Sequence, residues 1–230
     1  MDVSLLRGAP IAITGPLRVS VPPWLRVAML SVIVLAPTLG AGQAVVPSAP
    51  PGPVLFVGSS IFHRWTGLST QMAPLPVVNR AIDGLQTGDV LRMVDGVVVP
   101  STPKVVVYYG GSNDVDAGEP AAAIVGRIRQ FVDRVTTALP ATRIVFVSIN
   151  RAPEKQRRWD VVDAVNRQVE AYAAQSERLE YVDVNPVLFN RDGTPRFELY
   201  MSDELHLRPA AYEGFARILK PVLTKAFEAP

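Results

Sequence analysis

The sequence predicts a three-layer α/β/α sandwich around a parallel sheet of about five strands. Short runs of valine, isoleucine and other apolar residues recur without the apolar–polar alternation of a half-exposed strand. Stretches with an apolar period near 3.6 residues separate these runs. Strand and helix segments that alternate in this way favour a parallel sheet covered by helices on both faces.

Five segments have the composition of buried strands, and three have that of amphipathic helices. The predicted strands are 54–57, 76–79, 104–109, 143–149 and 181–184, and the helices are 119–139, 160–174 and 209–227. No internal repeat follows the first strand, so we expect residues 54–230 to form one domain. In an open parallel sheet, ligands bind outside the carboxyl ends of the strands, and functional side chains are expected in the loops there.

Composition excludes several classes of function. Removing the three arginines and one aspartate of residues 1–44 from the 23 basic and 21 acidic residues leaves 20 of each. This balance gives no support to nucleic-acid binding. The chain contains no cysteine and two histidines, which excludes disulfides and thiolate metal sites and argues against a histidine-rich metal cluster. We therefore expect no metal.

The N-terminus has the pattern of an export segment. Two arginines precede the apolar run Val27–Leu39, and Gly42-Gln43-Ala44 supplies the small residues of a signal-peptidase site. We predict that residues 1–44 are a signal peptide, with an uncleaved hydrophobic anchor as the alternative, and that the protein is exported. Such an anchor would be its one membrane contact. Residues 45–53 hold four prolines and are predicted to be an extended linker.

A serine follows the first predicted strand, in the segment Gly58-Ser59-Ser60. A serine where a strand turns into a helix presents its hydroxyl at the ligand face, which makes Ser60 a candidate nucleophile. Serine is also a common helix N-cap, and this segment taken alone favours capping.

A carboxylate and an imidazole precede the last predicted helix. In Asp203-Glu204-Leu205-His206, the three-residue spacing suits an acid that orients a histidine acting as general base. The alternative is a surface histidine beside two acidic residues. The only other histidine is His63, so His206 is the candidate base in the loop where this fold would need one.

Two middle loops contain candidate donors for an oxyanion. Gly84 ends the loop after the second strand, and its backbone N–H is not shielded by a side chain. Asn113 lies after the third strand and can donate through its side-chain amide. Acyl transfer needs rigid donors of this kind, although each residue alone is equally typical of a turn.

These four segments, in this order, resemble the signature blocks of the SGNH (GDSL-type) hydrolases. The matching segments are Phe56 to Ile61, Asn79 to Gly84, Gly111 to Asp114 and Asp203 to His206. The resemblance implies a flavodoxin-like sandwich that hydrolyses carboxylic esters without a cofactor, through an acyl-enzyme. It also implies Ser60, Asp203 and His206 as the catalytic triad. The oxyanion hole would be the N–H groups of Ser60 and Gly84 and the amide of Asn113.

The sequence departs from the family pattern at three positions. Ser59 replaces the usual aspartate before the nucleophile, and Ala81 and Asp83 stand where glycines are common. A carboxylate beside Gly84 would oppose a developing oxyanion if it pointed inward. We expect Asp83 to point outward.

The same residues argue against two other kinds of site. The nucleophile elbow of α/β-hydrolases requires glycine where Phe62 stands, and the loop at Gly58 lacks the glycine pattern of a dinucleotide site. Asp192-Gly193 has one calcium-like element and is interpreted as a turn. An acyltransferase with the same triad and a non-catalytic binding protein on this fold remain alternatives.

The expected partner is a small-molecule ester. The basic segment Arg151–Trp159 follows the fourth strand, where it could meet an anionic or sugar-bearing substrate. The favoured interpretation is a solvated helix start with one packed tryptophan.

Export can be tested on the intact protein. Protein recovered outside the cytoplasm should have the intact mass of a chain that begins near Val45, because cleavage is expected after Ala44. Full-length protein in the soluble cytoplasmic fraction would contradict this prediction.

Overall fold

A computed structural model describes residues 52–229, which contain one five-stranded sheet between two layers of helices. The strands are β1 (Val54–Gly58), β2 (Val77–Asn79), β3 (Val105–Tyr109), β4 (Arg143–Val147) and β5 (Leu179–Val182). All pairs are parallel, and the order across the sheet is β2-β1-β3-β4-β5. The predicted fold class is confirmed. Residues 1–44 and most of the predicted linker lie outside the described residues, so export remains a prediction.

Eight α-helices are found among the described residues. They are α1 (Ser60–His63), α2 (Leu68–Met72), α3 (Thr87–Met93), α4 (Ser112–Asp116), α5 (Ala121–Ala138), α6 (Trp159–Ala173), α7 (Asn185–Leu188) and α8 (Pro209–Glu228). Helices α1, α2, α7 and α8 pack on one face of the sheet, and α3, α5 and α6 pack on the other. Within residues 52–229, every helix is too short or too polar to cross a membrane.

The strands are apolar throughout because both faces of the sheet are covered. In β1, Val54 and Phe56 belong to the core under α8, whereas Leu55 and Val57 belong to the core under α5. All four side chains have no exposed surface. The strands lack apolar–polar alternation in the sequence because both faces of the sheet are buried.

The helical segment after β2 is among those that were not predicted from the sequence. Helix α3 follows β2, and the chain continues through a π-helical turn, Val94–Val98, and a 3₁₀ turn, Val99–Ser101. Helix α3 begins with a capping box formed by Gln86 and Asp89, which is a readable signal. In the segment that this capping box begins, two glycines and a run of valines ending in proline obscured the helical period.

The fifth strand lies two residues earlier than predicted. The sequence predicted residues 181–184, but pairing with β4 runs over β5, at 179–182. The strand ends because the Asp183 carboxylate accepts the N–H of Asn185 at 3.0 Å, which turns the chain. A run of valines alone did not reveal that turn.

Gly58 allows the chain to leave β1 in the direction that the fold requires. Its φ is +138°, and a Cβ at this position would lie 1.9 Å from the carbonyl oxygen of Tyr109 in the neighbouring strand. Any side chain would therefore be both strained and in collision with backbone. The glycine carbonyl accepts the N–H of Ile82 at 3.0 Å, which fixes the loop after β2 to the same point.

Two glycine-to-alanine substitutions should have opposite effects on stability. Gly58→Ala should lower the free energy of unfolding by about 3 kcal/mol or more, through strain and collision. Gly126→Ala, within α5, adds a Cβ that meets no atom within 4 Å and should raise the free energy of unfolding by about 0.5–1 kcal/mol. Urea denaturation measures both, and equal stabilities would contradict the role assigned to Gly58.

Candidate active site

Three of the loops that contain candidate residues begin at the same edge of the sheet. Gly58 pairs with Tyr109, so β1 and β3 end side by side. The N–H of Arg80 donates to the Phe56 carbonyl at 2.8 Å, and that of Ile82 donates to Gly58, which continues the pairing beyond β2. The loops containing the serine, the glycine and the asparagine therefore lie together at the carboxyl ends of the strands.

The two adjacent serines differ in accessibility. Ser59 is the N-cap of α1, is 1% exposed and makes no capping hydrogen bond through its side chain. Ser60 is the first residue of the helix and is partly exposed. A residue at this position has no carbonyl partner for its N–H within the helix. Of the two serines, Ser60 can therefore present both a hydroxyl and an N–H to a ligand.

The candidate donors Gly84 and Asn113 are held next to each other. The Asn113 amide donates from Nδ2 to the carbonyl of Leu85, the residue after Gly84, at 2.8 Å. Because an amide nitrogen has two hydrogens, one remains for a ligand. Gly84 is exposed with a φ of +79°, and a Cβ there would meet nothing within 4 Å. Its N–H donates to no partner among residues 52–229.

Asn79 joins the glycine loop to helix α1. Its side-chain amide donates to the Phe62 carbonyl at 2.7 Å, and its oxygen accepts the N–H of Ala81 at 3.0 Å. The sequence placed Asn79 within a signature segment without a role of its own. Its contacts show that it fixes the start of the loop containing Gly84 against the helix that begins at Ser60.

The Asp83 side chain, next to Gly84, is exposed and forms an ion pair. Its carboxylate accepts hydrogen bonds from the Arg64 guanidinium at 2.9 and 3.2 Å, and both side chains are more than 40% exposed. The guanidinium partly neutralises the negative charge beside the loop. His63, the second histidine of the chain, is exposed and places its Nδ1 2.9 Å from the Ala81 carbonyl.

Asp203 and His206 form a hydrogen-bonded pair. Nδ1 of the imidazole lies 2.6 Å from Oδ2 of the carboxylate, whose Oδ1 accepts the backbone N–H groups of Leu205 and His206 at 3.1 and 2.9 Å. Partial burial opposes ionisation of Asp203, but hydrogen bonds from the His206 ring and from the two backbone groups outweigh it. They lower the pKa of Asp203 from 3.8 to about 2. With Nδ1 engaged, Nε2 is the ring nitrogen available to take a proton.

The loop that contains this pair is closed by its own backbone. Tyr200 and Leu207 form an isolated antiparallel bridge, and the Met201 N–H donates to the His206 carbonyl at 2.7 Å. Glu204, between the acid and the base, has a φ of +54°, a left-handed conformation that residues other than glycine seldom adopt. The His206 side chain is 14% exposed and the Asp203 side chain 46%.

The helix that begins at Ser60 and the helix that follows His206 are brought together by aromatic packing. Trp65, just beyond α1, stacks on Tyr212 of α8 with ring centroids 5.2 Å apart. Arg64 and Trp65 line a small cavity together with Leu207. The segments after the candidate nucleophile and after the candidate base are therefore in contact.

A buried ionic network that the sequence did not predict lies behind Asn113. The Asp114 side chain is completely buried. Its carboxylate accepts the Thr87 N–H at 2.9 Å, the Thr87 hydroxyl at 2.5 Å and the Arg127 guanidinium at 3.0 Å. Together with the Asn113 bond to Leu85, this network fixes α4 to the start of α3. Asp114 is adjacent to the candidate donor, but its partners are distant along the sequence.

The interpretation of segment 151–159 as solvated is wrong for one of its cations, Lys155. Lys155 is buried and pairs with Asp116 and Glu154. The Arg151 guanidinium lies 4.5 Å from the ring centroid of Trp159, where the cation and the ring attract each other. The expected packed tryptophan is confirmed, since Trp159 also donates from Nε1 to the Ala152 carbonyl at 2.8 Å.

No group of side chains in residues 52–229 has the composition of a metal site with three or more histidine, aspartate or glutamate ligands. The calcium-like segment at Asp192 is a turn, as interpreted from the sequence. Its carboxylate accepts the N–H and the hydroxyl of Thr194 at 2.9 and 2.7 Å, and Gly193 has a φ of +83°.

Comparisons with known proteins identify the family and the fold of this chain. The model of the GDSL-like Lipase/Acylhydrolase family matches residues 55–213. A GDSL-like lipase from Bacteroides thetaiotaomicron has a similar structure, with 20% identity, a TM-score of 0.66, and coverage of 76% of this chain and 89% of that one. A carbohydrate esterase of family 3 from Talaromyces cellulolyticus is 18% identical, with a TM-score of 0.62 and coverage of 77% and 98%. At this identity, the structural likeness shows a shared fold. No curated protein sequence matches the chain.

The two histidines should contribute unequally to ester hydrolysis. His206→Ala should be nearly inactive, because it removes the base that Asp203 orients. His63→Ala should retain most activity and the same pH midpoint of kcat/KM, because its Nδ1 faces the Ala81 carbonyl. Steady-state kinetics with a p-nitrophenyl ester across pH measure both. Reversed behaviour of the two variants would show that Asp203 and His206 only shape the entrance of α8.

Proposed function

The chain belongs to the GDSL-like lipase/acylhydrolase family and is a hydrolase of ester bonds, and we propose that it works through an acyl-enzyme on Ser60. The observation that carries this proposal is the Asp203–His206 pair. Nδ1 of the imidazole contacts the carboxylate at 2.6 Å, which leaves Nε2 available to accept a proton. The proposed substrate is a small-molecule carboxylic ester, and water is the acyl acceptor.

In the first step, the Ser60 Oγ attacks the carbonyl carbon of the ester while its proton passes to Nε2 of His206. The imidazole becomes a cation, and the adjacent carboxylate of Asp203 stabilises it. This carboxylate is anionic at neutral pH, which lies far above the pKa of Asp203 of about 2. Its three accepted hydrogen bonds also prevent it from turning away from the ring.

The carbonyl oxygen becomes an oxyanion in this step. We assign its stabilisation to the N–H groups of Ser60 and Gly84 and to the second hydrogen of the Asn113 amide. The bond from Asn113 to the Leu85 carbonyl supports this assignment, because it holds the amide beside Gly84. Donors fixed before the reaction need no reorganisation when the charge appears, and each is typically worth about 10²–10³ in kcat.

The tetrahedral intermediate then collapses, and the proton on His206 goes to the departing alcohol. The acyl group remains bound to Ser60 as an ester. A water molecule gives its proton to His206 and attacks the acyl carbon, and collapse of the second intermediate releases the acid and restores the Ser60 hydroxyl. No cofactor enters either half of this cycle.

The nucleophile can be identified by covalent labelling. A fluorophosphonate should label the protein on Ser60, and Ser60→Ala should lose both labelling and several orders of magnitude of activity. Ser59→Ala is the matched control and should be much milder, since Ser59 is buried and forms no capping bond. An adduct mapped to Ser59 would overturn the assignment.

A further inference from the structure

Lys155 is a buried cation beside the candidate site, and no step of the proposed reaction uses it. Its side chain is 1% exposed, and its ammonium group pairs with Oδ2 of Asp116 and, at 3.1 Å, with Oε2 of Glu154. Taking an ammonium group out of water is costly, and an apolar side chain of similar length would avoid that cost. The cost of burying Lys155 therefore suggests a role for its ion pairs, which is found in the segments that contain Asp116 and Glu154.

Asp116 connects Lys155 to the candidate oxyanion donor. It is the last residue of α4, the five-residue helix that also contains Asn113. A helix this short is not stable by itself and depends on tertiary contacts for its position. Asp114 fixes α4 on the side of α3, and the Asp116–Lys155 pair fixes it on the side of the loop after β4. The Asn113 amide is thus held from two directions.

Glu154 connects the same segment to the candidate base. Its N–H donates to the Glu204 carbonyl at 3.3 Å, within the loop that contains Asp203 and His206. Glu204 has the left-handed φ of +54°, and a residue in this conformation persists only where its surroundings enforce it. Two adjacent residues, Glu154 and Lys155, therefore contact the helix of the oxyanion donor and the loop of the base.

We propose that Lys155 is a positioning residue that fixes the Asn113 amide relative to the Asp203–His206 pair. Lys155 touches no reacting atom and acts through α4 and through the backbone of Glu154. The inference rests on the proposed function, because it gives Asn113 and His206 the roles assigned above. A shift of about 1 Å in either group is enough to cost up to about a hundredfold in rate.

The first test removes each partner of the ion pair. Lys155→Met and Asp116→Asn should each lower kcat for a p-nitrophenyl ester by about tenfold to a hundredfold, with KM little changed. Rates are expressed per active site, counted by the end point of fluorophosphonate labelling, so loss of folded protein does not count as loss of rate. Arg134→Met is the control, because it breaks the exposed pair between Arg134 of α5 and Asp95 of the π-helical turn and should leave kcat unchanged.

The second test asks whether Lys155 acts through Asn113. Asn113→Ala alone should lower kcat. The factor by which Lys155→Met lowers kcat should be at least about threefold smaller in the Asn113→Ala background than in the wild-type background. A loss of the same size in both backgrounds, within about threefold, would overturn the proposal. If Lys155→Met gives no folded protein, Asp116→Asn carries the same comparison, since Asp116 is half exposed.

The outcomes separate this inference from the proposed function. If the wild type hydrolyses esters, Asn113→Ala is impaired, and both Lys155→Met and Asp116→Asn retain wild-type kcat, only the Lys155 proposal falls. A wild type without esterase turnover would overturn both proposals, whereas an Asn113→Ala enzyme of unchanged kcat would overturn the Lys155 proposal and the assignment of Asn113 as an oxyanion donor.

Discussion

The site depends first on the close approach of two backbones at Gly58. The Tyr109 carbonyl occupies the space that a side chain on Gly58 would need, and the Gly58 carbonyl accepts the N–H of Ile82. Three loops are therefore positioned against one residue that has no side chain. The direction in which Ser60 leaves the sheet, and the distance from it to the glycine loop, both follow from this approach. The same constraint explains why the strand must end in glycine.

Polar groups rather than apolar packing hold the candidate oxyanion donors. Asn113 bonds to the Leu85 carbonyl, Asp114 binds Thr87 and Arg127, and Lys155 pairs with Asp116. Buried ionic groups contribute little net stability, because desolvation offsets their attraction. Hydrogen bonds are directional, however, so such groups can fix an amide in an orientation that apolar contacts would leave loose. The apolar packing of the helices on the sheet stabilises the fold, and these polar contacts fix the positions of the candidate donors.

The sequence predicted the features that depend on neighbouring residues. Apolar runs located the strands, and the three-residue spacing of Asp203 and His206 indicated a pair that the backbone of one short loop brings together. Contacts between distant residues could not be predicted in this way. Asp114 meets Thr87 across 27 residues, and Lys155 meets Asp116 across 39, so neither pair forms a local pattern. The basic segment 151–159 looked solvated because Asp116, which pairs with the buried Lys155, belongs to another element.

The acidity of Asp203 constrains how the pH dependence of the enzyme is interpreted. Its pKa falls from 3.8 to about 2 on folding, so the stabilisation from its hydrogen bonds is present above about pH 4 and is lost as the pH falls through about 2. Near neutrality the carboxylate is already fully ionised. The charge of Asp203 therefore does not change in the pH range in which ester hydrolysis is assayed. Because the ring contacts this anion through Nδ1, Nε2 is the nitrogen left to accept a proton in the proposed reaction.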